Sequence, residues 1–219
     1  MTPTQEKNIA WVLPRPKPDH YKGGMPLYAE DWLLNLALKL LKSSSVEILN
    51  LFCGMNKQGF RVDINPEVKP DHLADAHTFA KHWNKNLFDI ILADPPYSNE
   101  ESKELYGTGK INYKQWTEQC DMVLKPGGLL IIYHKYMMPN PNPKKYEVVK
   151  RVFIGRRTYH VPRVAIYFRK KILDPEELKL EKKDSKPLSP DKKRCHVCGV
   201  EIGEKHKPFC SVGNDVFGQ

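Results

Sequence analysis

Apolar residues fall in short runs separated by amphipathic stretches, the arrangement expected of buried strands alternating with helices. Residues 28–41 (YAEDWLLNLALKLL) carry apolar positions at helical spacing, and Glu30 and Asp31 sit at the positive end of the helix they predict. The serines at 43–45 break it. Residues 46–52 (VEILNLF) read as a buried parallel strand ending in Cys53-Gly54, and a second strand over 61–64 follows almost at once. A helical stretch is expected around 77–83. FDIILA (88–93) then forms a third strand that runs into a doubled proline. Residues 113–124 place Trp116, Cys120, Val123 and Leu124 on one helical face. Lys125-Pro126-Gly127-Gly128 should stop that helix, and LLIIYH (129–134) should form a fourth strand. Residues 147–157 and 160–171 predict an antiparallel hairpin.

Strands alternating with helices imply an α/β domain built on a mostly parallel sheet covered on both faces. Ligands of such sheets bind beyond the carboxyl ends of the strands, where Cys53-Gly54, Asp63 and Asp94 all fall. The expected organisation is an extended Pro- and Lys-rich arm at 1–21, a single domain at 22–171, a charged linker at 172–194 and a small module at 195–219. A chain of 219 residues suffices for one sizeable core and such an appendage.

Charge narrows the partners. Lys and Arg number 35 against 26 Asp and Glu, a net charge of +9 and a pI near 9.2, which favours polyanions such as nucleic acid. No apolar run approaches the roughly 20 residues of a membrane span, so no membrane partner is expected. The opening residues lack a secretory signal, so a cytoplasmic, reducing setting is expected and the five cysteines are not read as a disulfide framework.

The chemistry centres on Asp94-Pro95-Pro96-Tyr97 behind a buried strand. An aromatic amine is a poor nucleophile because its lone pair is delocalised into the ring. Two acceptors gripping its hydrogens can pull the nitrogen toward tetrahedral geometry. The segment is similar to that of base-modifying amino-methyltransferases, and this resemblance implies that Asp94 and a backbone carbonyl of the proline pair are those acceptors, with Tyr97 stacked on an extruded base. A bland alternative is a proline turn with Asp94 as a cap. The segment resembles the amino-methyltransferases with a DPPY motif, which modify adenine, or less often cytosine or guanine, at an exocyclic nitrogen. The resemblance covers residues 22–171 and implies a Rossmann-like class I methyltransferase sheet, mostly parallel with a C-terminal antiparallel hairpin.

That resemblance implies S-adenosylmethionine as cofactor and assigns its contacts in ILNLFCGMNKQGFRVDIN. Asn50, Phe52 and Gly54 match the strand and loop beside the methionine part, and Asp63 matches the acid that receives the ribose hydroxyls. Asp75-Ala76 matches the element beside the adenine amino group, though an Asp there can also simply cap a turn. KGGMPLYAEDWL (22–33) resembles the segment that precedes the cofactor loop in many DNA methyltransferases. The stretch from Gly54 to Arg61 is too short for a crossover helix and resembles abbreviated variants with a Lys-x-x-Gly-type loop, here Lys57-Gln58-Gly59-Phe60.

Near the C-terminus, Cys195 and Cys198 form a CxxC followed by His206 and Cys210. This spacing predicts tetrahedral zinc in a module too short to have its own core. The segment also resembles a treble-clef zinc ribbon in which Asn214 or Asp215 stands where a fourth cysteine would be. His206 is therefore preferred as fourth ligand over His196. A redox CxxC is the rival reading, but it lacks the strand-to-helix setting.

Basic residues Lys144, Lys145, Lys150, Arg151, Arg156, Arg157, Arg163, Arg169, Lys170 and Lys171, interleaved with Phe153, Tyr159 and Tyr167, suggest a phosphate-binding face or simply a solvated one. His134 and Tyr136 could border the pocket without an assigned role. The expected function is methyl transfer to adenine in DNA. Alternatives are an RNA adenine or guanine amino-methyltransferase and a catalytically silent nucleic-acid-binding subunit. No insertion is large enough for a target-recognition region, so a protein partner could supply recognition.

Overall fold

The computed structural model describes residues 8–13, 25–26, 28–81, 83–98, 100, 102–103, 110–156 and 161–173. All lie in the first of the two units into which the chain divides, Met1–Leu173. Its strands are β1 (Asn8–Leu13), β2 (Ile48–Leu51), β3 (Phe60–Asp63), β4 (His72–Leu73), β5 (Phe88–Ala93), β6 (Leu124–His134), β7 (Tyr146–Arg156) and β8 (Arg163–Lys170). The longer helices are α1 (Ala29–Leu41) and α2 (Tyr113–Val123).

One sheet runs in the order β1-β7-β8-β6-β5-β2-β3-β4. β8 is antiparallel to both its neighbours, β6 and β7, and every other pairing is parallel. From β2 the chain steps outward through β3 to β4, then returns to β5 on the other side of β2. The order thus reverses between β2 and β5, the switch point at which open α/β sheets place their ligands.

Alternation along the central strands divides the core between the two faces. Leu49, Leu51, Ile91, Ala93, Leu130 and Ile132 pack with Trp116, Cys120 and Val123 of α2. Ile90, Leu92, Leu129, Ile131 and Tyr133 pack with Ala29, Leu33, Leu34 and Ala37 of α1. Continuous apolar runs in β5 and β6 follow directly, since neither face of these strands meets water. At about 1.5–3 kcal/mol for each large aliphatic side chain, this burial holds the centre of the sheet.

The structure departs from the sequence reading in four places. Residues 8–13, expected within an extended arm, form β1 and pair in parallel with β7 from Asn8↔Arg151 to Leu13↔Arg156. Leu13 is buried and Trp11 meets Trp32 of α1 edge to face at 5.5 Å, so inward-facing residues alternate with exposed Ala10 and Val12. The prolines and lysines that suggest an arm lie on either side of this short alternating stretch.

Where a helical stretch is expected around 77–83, residues 77–81 are turns, with Thr78 N–H bonded to the Asp75 carbonyl, Lys81 N–H to that of Thr78 and Trp83 N–H to that of Ala80. β6 begins at Leu124, so Lys125-Pro126-Gly127-Gly128 belongs to the strand. Gly128 packs so tightly there that a Cβ would lie 2.8 Å from Leu124 Cδ1 and 2.9 Å from the Asp89 carbonyl oxygen.

Part of the expected basic face is tied into the fold, while Lys144 is exposed. Lys145 and Lys170 pair with Asp121, Arg169 donates to the Leu40 carbonyl and Lys171 to that of Pro143. Tyr167 is buried, its hydroxyl donating to the Leu33 carbonyl, and so offers no surface for stacking. Phe153 remains exposed, whereas Arg157 and Tyr159 lie outside the described residues.

Candidate active site

The site is built where β2, β3 and β5 end. β2 and β3 are joined by residues 52–59, which contain no helix, as their number led us to expect. Adjacent parallel strands usually need a longer connection. Here Phe52, Gly54 and Gly59 take positive φ of 56°, 48° and 74° to turn the chain. Gly59 also lies against β2, where a Cβ would sit 2.5 Å from the Ile48 carbonyl oxygen.

Glu30 of α1 holds this loop. Its carboxylate accepts the backbone N–H of Lys57 and of Gln58, at 3.1 and 2.9 Å, and the Asn50 amide at 2.8 Å. Burial pushes the Glu30 carboxyl above its usual range, although these hydrogen bonds act in the opposite sense. Asn50 is fully buried. Its amide also donates to the Gln58 carbonyl, and its Oδ1 accepts from Asn56. Its side chain thus supports the loop from within.

Asp63, 8% exposed, accepts the Gly54 N–H on Oδ2 and the Asn65 N–H on Oδ1, both at 2.9 Å. A carboxylate has about four lone-pair sites, so Asp63 retains acceptor capacity beyond these two bonds. Arg61 fixes the same turn from below, donating to the carbonyls of Gly54, Val68 and Lys69 at 2.8–3.1 Å. Phe52 packs edge to face on Trp116 at 5.5 Å. Burial pushes the neighbouring Cys53 thiol up to about 12, which keeps it protonated and inert.

Asp75 forms the next turn. Its Oδ1 accepts the His77 backbone N–H at 2.8 Å and lies 2.7 Å from His77 Nδ1. His77 Nε2 accepts the Asn112 N–H at 2.9 Å, which places the ring proton on Nδ1, directed at Asp75. The capping role considered for Asp75 is therefore present, with Oδ2 left as an acceptor, and Ala76 is buried beside it.

Asp94 follows β5, its N–H directed at the Leu51 carbonyl at 3.4 Å. Pro95 is buried; Asp94, Pro96 and Tyr97 are half-buried. Tyr97 meets the ring of His134 at 5.0 Å and 87°, and the Arg163 guanidinium lies over its ring at 4.6 Å. Burial above all, then the charge of Asp94, pushes the Tyr97 phenol well above its ordinary value, so the ring stays neutral.

The sequence gives Glu30 only a place near the helix dipole and Arg163 only a place in a basic face, and nothing in it singles out Arg61. Their roles depend on which backbone carbonyl or ring lies opposite them, and no spacing in the sequence encodes that. Cys195, Cys198, His206 and Cys210 lie outside the described residues. Among the described residues no cluster could hold a metal ion, and no helix is long and apolar enough to cross a membrane.

No protein-family model matches the chain. Over 124 residues, 51% of this chain, it is 31% identical to the type II methyltransferase M.BamHI of Bacillus amyloliquefaciens. The aligned stretch covers 28% of that protein, so the chain spans little more than a quarter of its length. Among solved structures, the N-methyltransferase NodS of Bradyrhizobium japonicum in complex with S-adenosyl-L-homocysteine is 14% identical, over 66% of this chain and 88% of that one, with a TM-score of 0.45. TrmN of Thermus thermophilus is 16% identical over 63% and 48%, with a TM-score of 0.44. The strand order and the reversed β8 themselves give a Rossmann-like α/β fold with a mixed sheet.

Proposed function

We propose that this chain transfers a methyl group from S-adenosylmethionine to the exocyclic amino group of adenine in DNA. One juxtaposition carries the reading. Leu51 of β2 and Ala93 of β5 are register partners, so the Gly54 loop and Asp94-Pro95-Pro96-Tyr97 leave the sheet side by side at its switch point. The similarity to a type II methyltransferase points the same way.

The residues present fit the cofactor. Asp63 keeps lone pairs for the ribose hydroxyls beyond those taken by Gly54 and Asn65, and Asp75 keeps Oδ2 for the adenine amino group. Gly54 and Phe52 would border the methionine part, with Asn50 and Ala76 supporting from beneath. The bound cofactor supplies a methyl group made electrophilic by its sulfonium. Asp94 accepts one hydrogen of the target amine. A backbone carbonyl of the Pro95-Pro96 pair accepts the second. Together they aim the nitrogen lone pair at the methyl carbon. Tyr97 supplies the stacking surface for the extruded base.

The deciding measurement incubates the full chain with labelled cofactor and, side by side, DNA and RNA, then identifies the modified nucleoside by mass spectrometry. N6-methyladenine in DNA is the expected product. Label confined to RNA would overturn the DNA assignment, and label on a cytosine or guanine amino group would move the base but keep the mechanism. Cofactor binding without any transfer would favour the silent-subunit reading. The proposal extends to one structural zinc per chain on Cys195, Cys198, His206 and Cys210, and elemental analysis of protein purified without chelator finding none would remove it. It also includes a protein partner for target recognition, which co-purification would reveal.

A further inference from the structure

The reversal of β8 brings a cation to the site. Because β8 runs antiparallel to β6, with Val164 opposite His134, its first residue, Arg163, lies where the parallel strands β5 and β6 end. The guanidinium is seated over the Tyr97 ring, 4.6 Å from its centroid, and Nη1 donates to the Val161 carbonyl at 2.7 Å. Arg163 is half-buried, and its Nε is buried with no hydrogen-bond partner among the described residues. A cation withdrawn from water needs compensation, and the electron-rich face of Tyr97 supplies it. The Lys135 ammonium stands farther off, 5.6 Å from this ring and 5.1 Å from that of Tyr136, and so is divided between the two.

We propose that Arg163 is a positioning residue for methyl transfer: it occupies one face of the Tyr97 ring and holds it, so the target base stacks on the opposite face. The inference rests on the function proposed above and adds a residue to its site. A planar guanidinium can cover a ring face, whereas an ammonium acts only as a point charge. The Val161 carbonyl sets the guanidinium before any substrate arrives, and the ring follows it. Ordering Tyr97 in advance removes a cost that binding would otherwise carry. The charge also draws the π electrons of the ring toward itself, which lowers the repulsion between the opposite face and the face of a purine.

The test is a double-mutant cycle on the full-length chain, read in single-turnover rate and duplex Kd on an adenine-containing duplex. Arg163→Met keeps bulk over the ring but removes the charge and the hydrogen bond to Val161. It should lower the rate about 2- to 30-fold, the range of a cation–π contact, while leaving the calorimetric cofactor Kd unchanged. Arg163→Lys, which keeps the charge, should recover part of the loss. In a Tyr97→Ala background, Arg163→Met should cost nothing further, because Arg163 acts through that ring. If Arg163→Met fails to melt cooperatively, Arg163→Gln takes its place. Nuclear magnetic resonance of protein carrying carbon-13 tyrosine needs no substrate, and should show faster flipping of the Tyr97 ring in the variant. An unchanged rate in Arg163→Met, or an unchanged ring-flip rate, would overturn the positioning role. An equal loss in both backgrounds, with a flatter salt dependence of duplex binding, would assign Arg163 to a phosphate instead. A wild type that methylates no nucleic acid would overturn the function itself, while the ring measurement still decides the role of Arg163, so the two failures are distinguishable.

Discussion

The two halves of the site are held by different physics. On the β2–β3 side, charged side chains grip the backbone. Glu30 and Asp63 accept main-chain N–H groups, and Arg61 donates to three carbonyls. On the β5–β6–β8 side, rings and a guanidinium hold one another through Tyr97, His134 and Arg163. Carboxylate clamps fix where backbone atoms lie, as a pocket that must present amides to a polar ligand requires. Ring contacts are broader in angle and suit a surface that receives a flat base. The contrast predicts that damage on one side should appear in cofactor affinity and on the other in turnover.

The largest expected effect is on turnover. Asp94→Ala should lower kcat by about 10²–10³-fold, comparable to losing a transition-state contact of the oxyanion-hole type, with cofactor affinity intact. Single-turnover assays beside calorimetry check both halves, and near-normal turnover would exclude the amine-gripping role. Next, Glu30→Ala removes the acceptor shared by Lys57, Gln58 and Asn50. It should destabilise the fold by about 2–4 kcal/mol in urea unfolding, since donors in a half-buried loop lose a charged partner.

A smaller effect separates the halves directly. Asp63→Ala should weaken S-adenosylmethionine binding by about 1.5–3 kcal/mol by calorimetry, through the lost hydroxyl acceptor and the released Gly54 N–H. Unchanged affinity would place the cofactor elsewhere. The smallest is pH-dependent. Folded His134 has its pKa pushed down to about 4, below the ordinary value of about 6.5. The unfolded chain therefore binds the extra proton first. Stability from the neutral ring is complete above about pH 6.5 and declines as pH falls toward 4. Glu30, whose pKa burial raises, acts in the opposite sense, so the wild-type curve must be compared with that of His134→Phe. Parallel melting curves for the two would show that the ring is not the group responsible.

Much of this was legible in the sequence because it is written in local pattern. β5 reads from FDIILA alone, and the missing crossover helix follows from the few residues between Gly54 and Arg61. Asp94-Pro95-Pro96-Tyr97 announces itself because prolines after a strand fix backbone direction within the motif. What escaped is set by tertiary neighbours. β1 needs the open edge of β7, which only the folded sheet provides. Tyr167 alternates like a surface residue, yet α1 covers its face and offers the Leu33 carbonyl. The turns at 77–81 carry helical spacing, but their backbone closes on carbonyls three residues back, Thr78 on Asp75 and Lys81 on Thr78.

The pairing of β1 with β7 bears on how the protein is made. Asn8 meets Arg151, so β1 must wait for nearly the whole domain before it finds its place. Contacts so distant along the chain form late and slow the final step of folding. Until then an alternating apolar strand stands open to other chains. The domain should therefore reach its native state only after synthesis of the β7–β8 hairpin, with β1 among the last strands to dock.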